Sequence, residues 1–336
     1  MRSLLSETRN WVLAINLQAL LGMRRLLTGL VRHSSSKVRD YESSTFTLLK
    51  PSDIALSQAD NMDRVKRLVP ASFIEMMNYR TKKKKLGGRR LPEWELNNKA
   101  RGTEFSKNCD QRVPEIYQRS VGMNEIKWRN GSVIKPVPGA GSEGVYCYRS
   151  EDNIFDILGG KKLKSRDVLF DSMRAYIETH DNDRWIVEEL IEGEDGALPR
   201  DLKFYSFYGE IGLILEVRKE PDKKYCFYTP DGNIINTGKY SRKKLFEGNG
   251  FSDEALEKAR KLSLEIPAPF VRIDYLDTGD GLVFGEFTPR PGGFGLINKN
   301  TDAMLGELFI AAETRLMNDL IDGKSFTNFS AIAYKE

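Results

Sequence analysis

Histidine is nearly absent from this chain: its 336 residues include only two, His33 and His180. A Ser-His-Asp triad or a histidine-based metal centre would have to use one of them, so both classes are disfavoured. The three cysteines, Cys109, Cys147 and Cys226, are odd in number and have no C-x-x-C spacing. A disulfide framework and a structural zinc site are therefore not expected, whereas a reducing compartment is.

The chain also lacks a strong charge excess and a long apolar run. Lys plus Arg (52) nearly balance Asp plus Glu (48), and the net charge of +4 suits an anionic ligand but indicates no nucleic-acid partner. The longest stretch without charge, residues 10–23, is shorter than the ~20 apolar residues of a membrane span. Residues 1–32 place apolar side chains at three- and four-residue steps among arginines. This pattern predicts an amphipathic basic helix.

Three alternatives stay open for the basic helix over residues 1–32. It packs on the protein's own body, it lies peripherally on an anionic membrane surface, or it is a transit peptide. The composition, with 40 % hydrophobic and 30 % charged residues, is that of a soluble globular protein. The predicted location is cytoplasmic, with a peripheral membrane position as its alternative.

Further along, the pattern changes from helical to extended. A mostly helical region is predicted over residues 33–125, and short strands from Trp128 onwards. The basic run at 82–85 is predicted to be a solvated loop, with a docking patch for an acidic partner as the alternative. The predicted strands are 132–137, 145–149, 185–191, 203–207, 211–218, 270–276 and 282–288, and the predicted helices 252–266, with Ser252 as its cap, and 302–320. The succession predicts an α+β chain with antiparallel sheets.

Residues 139–144 match the pattern G-x-G-x-x-G. A dinucleotide-binding loop needs a helix after it, but β-branched and aromatic residues follow at 145–149, so the loop joins two strands. It does not end in Gly-Lys-Ser/Thr, and the H-R-D and D-F-G sequences of protein kinases are absent. The remaining interpretation is a flap whose N–H groups cover phosphates, with Lys135 placed to pair with them. A hairpin turn with a surface lysine is the alternative.

A second motif is an acidic hairpin. If residues 277–281 close it, Arg272 faces Glu286 and Asp274 faces Phe284, and these four share one face with Thr288. Two neighbouring carboxylates suit Mg²⁺ bridging nucleotide phosphates, and the guanidinium group can meet charge on a transferred phosphoryl group. A solvated polar face with an ordinary salt bridge is the alternative. The glycine-rich tail at 289–295 favours close approach of a ligand to the backbone.

Between these motifs, the strand over 185–191 runs into Glu188 and Glu189. Such a strand end can offer backbone groups to an adenine edge and a carboxylate to a ribose. Lys203 begins a later strand and is a second candidate for a phosphate-binding lysine.

Taken in order, these motifs resemble the ATP-grasp superfamily, and most closely its teichuronopeptide-biosynthesis (TupA-like) branch, over about residues 98–295. The resemblance implies an ATP-grasp fold in which two α+β subdomains clamp ATP, preceded by a mostly helical N-terminal region. It divides the chain into the amphipathic basic helix (1–32), a helical region on the acceptor side (33–125), a central subdomain with the glycine flap (126–195), and a C-terminal subdomain with the metal and phosphate site (196–336).

The resemblance also implies roles for individual residues. The residues implied to bind the nucleotide are Lys99, Lys135, Gly139, Gly141, Ser142, Gly144, Glu188, Glu189, Leu190, Ile191 and, as the ribose acid, Asp195, for which Glu194 is the alternative. The residues implied to be catalytic are Arg272, Lys203 and Arg290. Those implied to bind one or two Mg²⁺ are Asp274, Glu286 and Thr288. Thr288 stands where most of the superfamily has Asn.

The function that this resemblance implies is ADP-forming ligation of a carboxylate to an amine through an acyl phosphate. The expected partners are an amino acid or small amine and a carboxylated acceptor, such as a glycan or lipid-linked substrate, in cell-surface polysaccharide or secondary-metabolite biosynthesis. Two alternatives stay open. One is a polysaccharide-biosynthesis protein of the glycosyltransferase type, and the other is a non-catalytic ATP-binding assembly factor.

Overall fold

The computed structural model describes residues 71–333, apart from 87–90, 138, 140, 194–195 and 220–221. These residues belong to one compact unit that begins at Ala71, and the elements below are numbered from its first helix. The predictions for the basic helix (1–32), for residues 33–70 and for Glu194 and Asp195 lie outside the described residues.

The strands form two antiparallel sheets, in agreement with the predicted α+β class. The six-stranded sheet has the order β1-β6-β2-β3-β4-β5, and the five-stranded sheet β11-β10-β7-β8-β9. The strands are β1 (Ile116–Val121), β2 (Ser132–Pro136), β3 (Tyr146–Ser150), β4 (Asn153–Asp156), β5 (Lys161–Leu163), β6 (Trp185–Glu189), β7 (Arg200–Phe207), β8 (Glu210–Arg218), β9 (Lys224–Tyr228), β10 (Val271–Asp277) and β11 (Leu282–Thr288).

Several of the seven described helices begin at a residue whose side chain satisfies a free backbone N–H group. The helices are α1 (Phe73–Leu86), α2 (Pro92–Glu95), α3 (Lys99–Asn108), α4 (Arg166–His180), α5 (Asp253–Leu264), α6 (Lys299–Ile321) and α7 (Thr327–Ala333). The side chain of Asn98 caps α3, that of Ser252 caps α5 and that of Asn298 caps α6. A polar side chain at this position accepts a hydrogen bond that the helix itself cannot supply. The cap predicted at Ser252 is confirmed.

Each sheet has its own apolar core. In the six-stranded sheet, Trp185 and Ile134 pack with Met173 of α4. In the five-stranded sheet, Phe204 and Ile273 pack with α5 and the neighbouring helices. Because side chains alternate between the faces of a strand, the polar residues described below lie on the opposite face of the five-stranded sheet.

Two predictions about the front of the unit are wrong. Strand β1 precedes Trp128; it is a partly exposed edge strand that pairs with β6 through two irregularities, so it shows little apolar alternation. The basic run at 82–85 belongs to α1 rather than to a loop. Lysines are good helix formers, and their charge in the last turn suits the negative end of the helix dipole.

No helix in the described part of the chain combines the length and the apolar character needed to cross a membrane.

Candidate phosphate and nucleotide site

The hairpin of β10 and β11 is present, but its predicted register is wrong. Arg272 faces Thr288 and Asp274 faces Glu286, after which a bulge lets Phe284 face Tyr275. A Cβ on Gly285 would lie 3.1 Å from the backbone oxygen of Asp274, so a glycine allows this close approach. Phe284 consequently turns to the packed face and is buried, while the polar set remains together.

Arg272 is held rigidly by its neighbours on this face. Its Nε donates to Asp274 Oδ1 at 2.7 Å, and its Nη2 donates to Asp274 Oδ2 at 2.6 Å and to Thr288 Oγ1 at 2.9 Å. Both members of the ion pair are buried. Burial alone would lower the pKa of Arg272, but Asp274 outweighs it and raises that pKa. The guanidinium group therefore stays charged in a fixed orientation.

Lys203 joins the same cluster from the adjacent strand. Strand β7 pairs with β10 so that Lys203 faces Asp274, and its Nζ donates to Asp274 Oδ2 at 2.7 Å. Its Nζ also lies 3.2 Å from Asp201 Oδ2. Burial works against the charged form of each group. The two aspartates nevertheless raise the pKa of Lys203, while Lys203 and Lys219 lower the pKa of Asp201 to about 2.

Glu286 is the exposed member of the cluster. Its side chain is 51 % exposed, and Oε1 lies 4.0 Å from Arg272 Nη2. The described residues contain no group of three or more His, Cys, Asp or Glu side chains that could hold a metal ion. Mg²⁺, however, is commonly bound by one or two carboxylates together with substrate phosphates. The donor chemistry of Asp274 and Glu286 fits Mg²⁺ bound in that way. The Thr288 hydroxyl oxygen already accepts a hydrogen bond from Arg272.

Lys99 and Lys135 lie near the other sheet. Lys135 on β2 forms an ion pair with Glu188 on β6, and Lys99 Nζ donates to the backbone oxygen of Pro136 at 3.4 Å. Burial lowers the pKa of Lys99, and Lys135 lowers it further, whereas Glu286 and Glu188 raise it. Helix α3, which carries Lys99, also packs on β11, because a Cβ on Gly102 would lie 3.3 Å from the Phe287 ring. Lys99 therefore contacts β2 from a helix that packs on the other sheet.

The glycine loop joins β2 to β3, as the sequence predicted. The two strands pair directly, with Ile134 opposite Tyr146. Gly141, Ser142 and Gly144 all have φ near +70°. A Cβ on Gly144 would lie 2.9 Å from the Tyr176 ring, so this position requires glycine for two reasons, its backbone angle and its close contact.

The predicted adenine segment contacts a linking segment, residues 109–115, that also reaches the hairpin. Glu189 accepts from Arg112 Nη2 at 2.8 Å and from the Glu115 N–H at 3.1 Å. In the same segment, the Arg112 carbonyl accepts from the Phe284 N–H at 2.8 Å. Gln111 accepts from the Tyr275 hydroxyl at 3.0 Å. Glu189 is therefore connected to the hairpin of the other sheet through the linking segment. The Leu190 N–H donates to the Gly131 carbonyl at 3.0 Å.

Arg290 contacts a neighbouring aromatic ring, and the structure adds one residue that the sequence analysis missed. Arg290 is exposed and stacks over the Phe294 ring at 4.5 Å. Lys239, from the loop between β9 and α5, donates to the Gly292 carbonyl at 2.6 Å. No motif surrounds Lys239 in the sequence. Only the folding of its loop against the glycine-rich tail brings it to the site.

The two antiparallel sheets, the glycine flap between β2 and β3 and the polar cluster on β10 and β11 agree with an ATP-grasp protein. The chain belongs to the TupA-like ATPgrasp family, whose sequence pattern matches residues 76–310. No curated protein matches the chain.

Among solved structures, the chain is similar to a D-alanine-D-alanine ligase from Helicobacter pylori, with 15 % identity over 64 % of this chain and 58 % of that one and a TM-score of 0.38. It is also similar to the Bacillus anthracis D-alanine--D-alanine ligase complexed with ATP, with 12 % identity, coverages of 85 % and 95 % and a TM-score of 0.43. A third is the ATP-grasp ligase PsnB complexed with a precursor variant, Mg and ADP, with 14 % identity, coverages of 79 % and 76 % and a TM-score of 0.36. The chain thus spans less than two thirds of the Helicobacter pylori enzyme.

Proposed function

We propose that this protein is an ATP-dependent, ADP-forming carboxylate–amine ligase. A carboxylate oxygen would attack the γ-phosphorus of ATP, the bond to the β-phosphate oxygen would break, and ADP would leave. The amine would then attack the acyl carbon, and phosphate would leave with the bonding electrons. The observation that carries the proposal is the buried cluster of Arg272, Asp274 and Lys203 beside Glu286. Family membership supports ATP as the nucleotide.

Arg272 and Lys203 would stabilise the charge that develops on the transferred phosphoryl group. Their positions are set before substrate binds, because Asp274 accepts hydrogen bonds from both and Thr288 accepts one from Arg272. Fixed cations stabilise a charged transition state without first reorganising, which is the main source of rate enhancement in such sites.

The nucleotide would lie between the two sheets, with Lys99, Lys135 and the flap amides on its phosphates. Because the Leu190 N–H is engaged with Gly131, we assign the adenine-binding N–H to Ile191. Asp195 remains the proposed ribose acid, and the domain division at 126–195 and 196–336 remains part of the proposal. Arg290 stacks on Phe294, and its proposed catalytic role would require a direct contact with the substrate.

Asp274 and Glu286 would hold one or two Mg²⁺. When bound, Mg²⁺ would neutralise negative charge on the β- and γ-phosphates of the nucleotide. The resemblance implies that Thr288 is a further Mg²⁺ ligand. We propose that it mainly orients Arg272, because its hydroxyl oxygen accepts a hydrogen bond from Arg272 Nη2.

The finer assignment rests on the resemblance to the TupA-like branch. It names an amino acid or amine and a carboxylated, glycan or lipid-linked acceptor in cell-surface polysaccharide or secondary-metabolite biosynthesis. It also includes a cytoplasmic location with peripheral membrane contact through residues 1–32.

The test is nucleotide analysis after the purified full-length protein is incubated with Mg-ATP, amino acids and uronic-acid acceptors. We expect ADP and phosphate to form only with a substrate pair, and their formation to be lost in Arg272→Ala and strongly reduced in Glu286→Gln. Asp280→Asn is the matched control, because Asp280 lies exposed in the turn of the same hairpin.

Melting curves of the variants would separate lost chemistry from lost folding. ATP binding without ADP formation in any mixture would contradict the ligase proposal and favour the assembly factor. Sugar transfer without ADP formation would favour the glycosyltransferase alternative.

A further inference from the structure

The exposed side of α1 presents a row of side chains. Glu75, Tyr79, Lys82 and Leu86 follow one another at steps of four, three and four residues, which keeps them on one side of the helix. Tyr79 is 58 % exposed and Leu86 is 86 % exposed. The buried residues of α1 lie on the opposite side and pack into the core of the five-stranded sheet: Phe73 and Met77. The row therefore faces away from the core.

Helix α6 carries a second row with the same spacing. Ile310, Thr314, Met317 and Ile321 are all exposed, and they again lie at steps of four, three and four residues. The three apolar members are 43 %, 57 % and 75 % exposed in chain order. The buried residues of α6 that face the core include Leu305 and Ala312. Single exposed apolar side chains are ordinary, but a continuous row of them is typical of an interaction surface.

The two helices lie side by side and run in the same direction. A Cβ on Gly306 of α6 would lie 2.5 Å from the backbone oxygen of Ala71, so the residues that lead into α1 pass directly against α6. Further along both helices, Arg80 Nη1 lies 4.0 Å from Glu313 Oε1. Because the contacts advance together along the two helices, their exposed rows form one surface, which we call the outer face.

The charges of the outer face are divided between its two ends. Glu75 in the first turn of α1 and Glu307 in the first half of α6 are exposed. The run of lysines at 82–85 lies at the other end of α1. Lys84 lies over the Trp94 ring at 3.7 Å, which holds this end of α1 against α2. Because the helices are parallel, the carboxylates lie at one end of the outer face and the lysines at the other.

This distribution of charge is complementary to itself. A two-fold axis perpendicular to the helices turns the outer face end for end, so the acidic end of one copy meets the basic end of the other. An anionic membrane would attract the lysines at 82–85, but it would repel Glu75 and Glu307 on the same face. The charges therefore favour a second copy of this chain over a lipid surface.

We propose that the outer face of α1 and α6 is the interface of a two-fold symmetric homodimer. Glu75 and Glu307 of each copy pair with the lysines at 82–85 of the other copy, and the exposed apolar side chains of the two rows are buried between them. The partner is a second copy of this chain. The dimer goes beyond the proposed ligase function and does not depend on it.

Reversal of charge at one end of the face gives the sharpest test. Lys82→Glu combined with Lys83→Glu makes both ends of the face acidic, and Glu75→Lys combined with Glu307→Lys makes both ends basic. Each double variant would repel its own copies. An equimolar mixture of the two double variants would bring opposite charges together at both contacts, so the mixture should form a heterodimer.

Sedimentation equilibrium of the full-length proteins between about 1 and about 100 µM is the measurement. We expect the wild type to dimerise, the dissociation constant of each double variant to rise at least about tenfold, and the mixture to return to within about threefold of the wild type. Lys161→Glu combined with Lys162→Glu is the matched control, because both lysines lie exposed on β5 of the other sheet. Added salt should weaken the wild-type dimer.

The apolar part of the interface is tested separately. Met317→Lys places a charge in the row of α6 and should also raise the dissociation constant at least about tenfold. Leu158→Lys is its control, because Leu158 is 56 % exposed in the turn between β4 and β5. Melting curves of the variants would separate lost association from lost folding, and we expect them to match that of the wild type.

A wild type that stays monomeric over this concentration range would overturn the proposed dimer. A mixture that associates no better than either double variant alone would overturn it as well. If a monomeric wild type sediments with vesicles of anionic lipid and the lysine variant does not, the outer face binds membrane and the dimer is again overturned. ADP formation is measured independently of these results, so the failure of the dimer and the failure of the ligase function are distinguishable.

Discussion

At the residue scale, one hydroxyl group helps to orient the guanidinium group of Arg272. Thr288 Oγ1 accepts from Arg272 Nη2 at 2.9 Å, in the position for which the superfamily resemblance implies an amide. Hydrogen bonds to charged groups are worth about 1.5–3 kcal/mol. Under the proposed function, Thr288 would therefore act on the reacting phosphate through Arg272, with or without a contact to metal.

We predict that Thr288→Val lowers the rate constant for ADP formation by roughly tenfold or more, because the variant keeps the side-chain volume but loses the acceptor. Thr288→Ser should stay near the wild-type rate. Steady-state kinetics at varied Mg²⁺ concentration is the measurement. If Thr288 acts mainly as a metal ligand, excess Mg²⁺ will restore the valine variant, which would contradict the orienting role.

At the element scale, two glycines in different loops of the six-stranded sheet differ in what surrounds them. Gly144 has φ +68° and would place a Cβ 2.9 Å from the Tyr176 ring. Gly160, in the turn between β4 and β5, has φ +59° but would meet nothing within 4 Å. The two positions share a backbone penalty and differ in the contact.

We predict that Gly144→Ala weakens ATP binding by roughly tenfold, because the flap must move away from Tyr176 to accommodate the methyl group. Gly160→Ala should cost about 1 kcal/mol of stability and leave ATP affinity unchanged. Calorimetric ATP titration and denaturant unfolding of both variants provide the comparison. Equal ATP affinities in the two would show that the flap does not close over the nucleotide at this position.

The hairpin also acts as an element rather than as a set of residues. The bulge at Gly285 changes which residues face each other, yet Arg272, Asp274, Glu286 and Thr288 stay on one side, because the bulge lies beyond both of the pairs that they form. The four polar side chains therefore share one face in either register, whereas Phe284 is buried in the core.

At the scale of the whole molecule, the linking segment at 109–115 connects the two sheets. It forms hydrogen bonds with Glu189 at the end of β6 and with Tyr275 and Phe284 of the hairpin. The proposed nucleotide site has Lys135 on one sheet and the cluster of Arg272, Asp274 and Lys203 on the other. The linking segment is therefore one of the connections between its two parts.

We predict that Glu189→Ala lowers the free energy of unfolding by about 1 kcal/mol, because Arg112 is half exposed and its ion pair is screened. The same variant should weaken Mg-ATP affinity as the two sheets separate. Glu192→Ala removes an ion pair to Arg149 within the six-stranded sheet and is the control. Nucleotide affinity is expected to fall only in the first variant. An equal fall in both would mean that the linking segment does not couple the sheets.

Local patterns in the sequence were sufficient for the strands of the hairpin, the strand–loop–strand form of the flap and the Ser252 cap. Alternation of side chains, the conformational freedom of glycine and side-chain capping all act between neighbouring residues. The edge strand β1 was missed because its side chains are partly exposed and show no alternation of apolar and polar residues.

The sequence by itself determined which chemical groups this protein has: carboxylates, an arginine and lysines near glycine loops, with almost no histidine. Only the tertiary structure decided the register of the hairpin, the hydrogen bonds of Glu189 with the linking segment and the contact of Lys239 with the glycine-rich tail. Those features depend on distances between residues far apart in the chain, and close packing of backbone and charge sets such distances after the strands have formed.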